Sequence, residues 1–147
     1  MRINELKTAL NVTTGIDVDK VIFDPMQELN NTSRGYPTIM WDLNSLRFVT
    51  RAQNPNNIQN KSAETVYQIR VYILGWIDER GVNNITTKHV LWEELHGQFE
   101  EYLAKVNSED SKVQILPNLE GEFFTEGTTS TESEIAIAYD VTIHQSC

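Results

Sequence analysis

Cysteine is almost missing from this chain: Cys147, the last residue given, is the single one. No internal disulfide can form, and nothing in the thiol content points to an oxidising compartment. No apolar run approaches the roughly eighteen residues of a membrane span. The opening stretch, MRINELKTALNVTTG, has acids and amides where a secretory leader needs a continuous apolar segment, which argues against export. The seven glycines are scattered, so no glycine-rich loop is set to cradle phosphate. Basic charge is scarce in one half. From Glu93 to Glu134 only Lys105 and Lys112 oppose eleven acids, whereas Met1 to Trp92 carries ten Lys and Arg against nine Asp and Glu. Nearly all of the net charge of −9 therefore sits on one stretch. Backbone phosphates are held by clustered Lys and Arg, so direct nucleic-acid binding by this half is disfavoured. It is a solvated face that maintains solubility, or one that repels nucleic acid or meets a basic partner.

What is present is a patterned, ordinary globular sequence. Its 147 residues, 39% hydrophobic and 22% charged, fit one domain, 1–147, that can bury a core without staples. Ile135, Ile137, Tyr139, Val141 and Ile143 alternate with Ala136, Ala138, Asp140, Thr142 and His144, the period of a half-buried antiparallel strand. Tyr67, Ile69, Val71 and Ile73 repeat the pattern within a central strand predicted over Thr65 to Ile77. Between these strands Leu91, Leu95, Phe99, Tyr102, Leu103 and Val106 recur at helical spacing, predicting an amphipathic helix from Thr86 or Thr87, either able to cap it, to about Val106.

The remaining elements are shorter. Ile3, Leu6, Ala9 and Leu10 predict a helix over 2–11, and Val18 to Phe23 a strand stopped at Asp24-Pro25. A second short helix is expected at Met26 to Leu29. Thr38 to Leu43 and Leu46 to Thr50 read as a hairpin turning at Asn44-Ser45. Val113 to Leu116 returns to the sheet before Pro117. Two long polar segments interrupt the order, 51–64 and 120–134, and structureless segments of that length in a compact domain are usually functional or mobile. The expected fold class is α+β: an antiparallel β-sheet packed against one main α-helix, with a short N-terminal helix and two long projecting loops.

No cluster carries covalent chemistry. His89, Glu93, His96 and Glu100 share a helix face, but the two histidines stand about 10 Å apart along the axis, two turns rather than the one turn of a helical zinc motif. They read as a solvated face opposite the apolar stripe. Glu93-Glu94 and Glu100-Glu101 are adjacent and diverge, so neither pair shares a proton as a dyad does. His144 falls on the polar side of the last strand, with no nucleophile spaced to it. The chain reads as non-enzymatic, without metal or cofactor.

Surfaces are better represented. Phe123-Phe124 interrupts the second polar segment, either as a brief strand tucking one ring inward or as a docking anchor of the kind that dominates interfaces. Arg47, Arg51, Lys61, Arg70 and Arg80 gather around the hairpin and the central strand, which gives two faces of opposite sign suited to head-to-tail association. The candidate interface residues are Arg51, Lys61, Glu120, Glu122, Phe123, Phe124, Glu126 and Glu132, with 51–64 and 120–134 as assembly arms.

The layout resembles the tail-terminator or tail-completion proteins of tailed bacteriophages and related head–tail connector ring proteins. The resemblance is carried by the N-terminal helix, Tyr36-Pro37-Thr38-Ile39-Met40-Trp41 after a polar loop, Tyr67-Gln68-Ile69-Arg70-Val71-Tyr72-Ile73, the helix 87–106, and the late strand Ile135 to Ile143 after an extended loop. It is one of order and pattern over most of the chain. It implies a virion protein, assembled in the bacterial host cytoplasm, that forms a hexameric or dodecameric ring. Such a ring meets neighbouring portal, neck or tail proteins and lines a channel through which DNA passes without specific binding. No membrane partner is implied. The alternative is a small acidic protein-binding module, monomer or dimer, that occupies a DNA-binding partner.

Overall fold

In the computed structural model, residues 3–23, 36–51, 64–76, 85–109, 112–116, 120–124 and 134–146 are described. Their chain order is α1 (Ile3–Leu10), β1 (Lys20–Ile22), β2 (Thr38–Arg51), β3 (Glu64–Trp76), α2 (Ile85–Glu109), β4 (Val113–Ile115), β5 (Glu120–Phe124) and β6 (Glu134–Gln145). The strands form one mixed, mostly antiparallel curled sheet in the order β1-β2-β3-β6-β4, with β5 also on β6. The α+β class expected from the periodicities is the observed one. Expected helix 26–29 lies outside the described residues.

β3 and β6 form the centre, because their alternation supplies two apolar rows that meet in register. Tyr67, Ile69, Val71 and Ile73 stand opposite Ile143, Val141, Tyr139 and Ile137, and all are buried. Onto this face α2 lays Trp92, Leu95, Phe99, Tyr102 and Val106. Burying five such side chains is worth on the order of 1.5–3 kcal/mol each, far more than the helix propensity of a sequence holding Gly97 and several β-branched residues. The helix comes close to the sheet at Gly75, where an added Cβ would lie 2.9 Å from Leu95 Cδ1. Helix α1 adds Leu6 and Leu10, and a hydrogen-bonded column ties it down. Trp41 Nε1 donates to Tyr102 Oη at 3.0 Å, and the Tyr102 hydroxyl donates to the Leu10 carbonyl. The column satisfies the Trp41 indole N–H and the Tyr102 hydroxyl, two buried groups that would otherwise each cost about 1–3 kcal/mol, and gives the Leu10 carbonyl a second donor beside Val12 N–H. Burial also raises the Tyr102 hydroxyl above the usual tyrosine range, the Trp41 hydrogen bond opposing it.

Three expectations need correction. Asn44-Ser45 is no hairpin turn: β2 runs on from Thr38 to Arg51, and its register with β3 shifts between Asp42 and Arg47. Side chains replace ladder bonds there. Asn44 N–H donates to Asp42 Oδ1 at 3.1 Å, and Arg70 N–H donates to Ser45 Oγ at 2.9 Å. The extra residues are absorbed as a bulge, and the polar residues that mimic a turn signal are what allows it. Second, Thr86 and Thr87 lie inside α2, which already includes Ile85, so neither is its cap. Third, β6 is not half-buried at its start. Ala136 and Ala138 are as buried as Ile135, Ile137 and Tyr139, because with Ile22, Met40 and Leu74 they form a second apolar patch on the face away from α2.

Candidate functional site

Phe123 and its neighbours are strand, not projecting loop. Glu120 to Phe124 pairs antiparallel with β6, Glu120 opposite Asp140 and Phe123 opposite Ile137. The reason lies in the alternation Glu-Gly-Glu-Phe. Phe123 falls on the α2 side and stacks on Trp92 with centroids 4.7 Å apart, while Glu122 falls on the other side. Gly121 makes the pairing possible, because a Cβ there would sit 3.1 Å from Tyr139 Cδ1. Phe123 is nonetheless 64% exposed, so the ring touches the body without entering it. The brief strand is present, but the Phe123 ring is left on the surface rather than tucked into the core.

Of the other expected interface residues, Arg51 ends β2 opposite Glu64, at the far side of the sheet from β5. One chain therefore does not bring Arg51 together with Glu120, Glu122, Phe123 and Phe124. Lys61, Glu126 and Glu132 lie outside the described residues, as do Arg80 and most of 51–64 and 120–134.

Away from α2 the sheet carries a row of charge in register: Asp42, Arg70, Asp140 and Glu120 on β2, β3, β6 and β5. The Arg70 guanidinium reaches Glu122 Oε2 at 3.1 Å, and its Nε lies 3.9 Å from Asp140 Oδ1. The first is a hydrogen-bonded ion pair; the second is within Coulomb range only. The carboxylates here are two-thirds exposed, so these pairs orient Arg70 more than they stabilise the fold. A polar hollow of about 440 Å³ opens beside them, lined in part by Ser45, Arg47, Gln68 and Thr142. Farther along the same face His144 Nδ1 and Glu64 Oε1 are 2.5 Å apart. Arg70 is drawn to the acids of this row, while Arg47 lines the same hollow.

On the α2 side a second hollow, about 410 Å³, lies between the helix and β5–β6. Trp92, His96, Phe123 and Tyr139 line it. Here His96 stays on an exposed face, as expected, but takes partners there. Its Nδ1 is 2.7 Å from Tyr139 Oη, and its Nε2 is 2.7 Å from Glu100 Oε1. Burial, and then the Glu100 carboxylate, push the Tyr139 hydroxyl well above the usual tyrosine range. The phenol keeps its proton, and with a neutral His96 ring its hydroxyl donates to Nδ1 while Nε2–H donates to Glu100. This relay holds a weak acid in place and offers no activated nucleophile. Trp92 is buried, and its indole N–H finds no acceptor among the described residues. Sequence reasoning missed the relay because Tyr139 and His96 are 43 residues apart. The i,i+4 spacing of His96 and Glu100 was its one readable part.

No protein-family model matches the chain, and neither does any curated protein.

Proposed function

We propose that this chain is a structural subunit of an oligomeric ring at the head–tail junction of a tailed bacteriophage, a tail terminator or connector. It joins portal or neck to tail and lines the genome channel. One observation carries the reading. Among the described residues a helix-backed sheet has two separate stretches without an outer strand whose sequences carry opposite charge, Arg47 and Arg51 in β2 and Glu120 and Glu122 in β5. Complementary patches at different places on one subunit generate head-to-tail contacts, which close into rings when the rotation permits. The acid-rich stretch 93–134 supports the same reading, since negative charge facing a lumen lets DNA pass without adhering. The resemblance of the sequence pattern to phage ring proteins suggests the biological setting.

Native mass measurement on the purified chain tests the proposal, first alone and then with candidate portal, neck and tail proteins. A large symmetric oligomer is expected, hexamer or dodecamer, either alone or with a structural neighbour. A chain that stays single beside every such neighbour contradicts the ring and favours the acidic binding module.

A further inference from the structure

The sheet's edges are guarded unequally. Beside β4 the edge is closed by a side chain from α2: Asn107 Oδ1 accepts from Ile115 N–H at 2.7 Å, and Asn107 Nδ2 donates to the Ile115 carbonyl at 2.9 Å. On the opposite side β1 covers β2 from Thr38 to Met40. Two five-residue stretches have no strand on their outer edge among the described residues, Arg47–Arg51 of β2 and Glu120–Phe124 of β5. Both carry exposed apolar side chains, Phe48, Val49 and Phe123. Open edges with apolar residues are templates for another strand.

We propose that these two edges join copy to copy: β5 of one chain adds to β2 of the next as an antiparallel strand, with Phe48 opposite Phe123. The inference deepens the ring reading and rests on it.

Strand direction fits. β2 is antiparallel to β3, β3 to β6, and β6 to β5, so β2 and β5 point opposite ways. A rotated copy placed beside the first, with its helix on the same side, therefore presents its β2 antiparallel to β5. Facing fits as well. Phe48 pairs with Tyr67, which belongs to the core under α2, and Phe123 pairs with Ile137 of the same core. Both rings thus emerge on the helix side of the joined sheet. Setting Phe48 opposite Phe123 then places Val49 opposite Glu122, Thr50 opposite Gly121 and Arg51 opposite Glu120. Charge fits last, since the β2 stretch holds two arginines and the β5 stretch two glutamates. The shared register covers two exposed rings at once, and Phe48 continues the stack that Phe123 makes on Trp92. Because β5 lies beside residues 136–140 of β6 while Arg47–Arg51 lies at the level of Glu64–Gln68, successive sheets are staggered, as tilted strands are in a closed barrel.

Cysteine cross-linking tests the pairing on the full chain. In a Cys147→Ser background, Phe48→Cys with Phe123→Cys is oxidised and resolved on a non-reducing denaturing gel, beside native mass measurement of the same sample. A ladder of linked multiples is expected, while either cysteine alone gives at most dimers. Phe48→Lys should dissolve the oligomer, and adding Phe123→Glu should restore it. Oligomers that persist in Phe48→Lys and never link through 48 and 123 overturn the pairing while the ring stands. Linked chains that grow as open fibres or stop at two support the pairing and overturn the ring. A chain that is single at every concentration and yields no ladder overturns the pairing.

Discussion

Thr38 to Trp41 and Arg47 to Arg51 are two halves of one strand that both pair with β3, yet their surroundings differ completely. The first half is buried, Trp41 to 0% exposure, with α1, α2 and β1 packed around it. In the second, Phe48 is 51% and Val49 55% exposed. Strand propensity does not separate them, since both hold aromatic and β-branched residues. What separates them is cover. Beyond the bulge at Asp42–Arg47 the apolar side chains of β2 stand exposed, and β1 no longer pairs with it. One half serves the fold, and the other is the half proposed to take a partner strand.

Substitutions test that division by acting on folding in one region and on assembly in the other. The largest effect is expected from Phe99→Ala, which removes a ring stacked 4.1 Å from Tyr139. It should cost about 3–5 kcal/mol in urea unfolding. A loss under about 1 kcal/mol would mean that α2 does not pack as described. Gly75→Ala drives a methyl into Leu95, and about 1–3 kcal/mol is expected from overpacking. Tyr102→Phe should cost about 1–3 kcal/mol by leaving the buried Trp41 Nε1–H unpaired and taking from the Leu10 carbonyl one of its two donors. The wild-type chain should also lose stability in alkali. Tyr102 and Tyr139 hold their protons more tightly folded than unfolded, so their contribution is complete below the ordinary tyrosine pKa of about 10. It declines as pH climbs above that value. Chemical unfolding across this range should show the decline, and it should be shallower in Tyr102→Phe. Smallest for folding is Phe48→Ala, within about 0.5 kcal/mol of wild type, although it should weaken assembly measured by native mass.

The parts of the fold legible in the sequence are those fixed by local period. β3, α2 and β6 each repeat long enough for one face to be unmistakable, and together they give the α+β class. What escaped was decided by contacts distant in sequence. β2 reads as two strands because Asp42, Asn44 and Ser45 look like a turn, and only the bonds from Asn44 to Asp42 and from Arg70 to Ser45 show a bulge. β5 hides in a polar segment, since Glu-Gly-Glu-Phe becomes a strand once Tyr139 fills the space left by Gly121. Ala136 and Ala138 are small enough to suit either a solvent face or a second buried patch, and alternation alone does not choose. For the candidate site, Phe123 and its neighbouring glutamates were found by composition. Their separation from Arg51 follows from sheet order, in which β6 lies between β3 and β5, and no local pattern records that.

Backbone hydrogen exchange measured at low and high protein concentration tests assembly through the open edges most directly. The account expects amides of 47–51 and 120–124 to gain protection together as concentration rises, while those of β3 and β6 stay protected throughout. Assembly that leaves both segments exchanging at their dilute rates would contradict it.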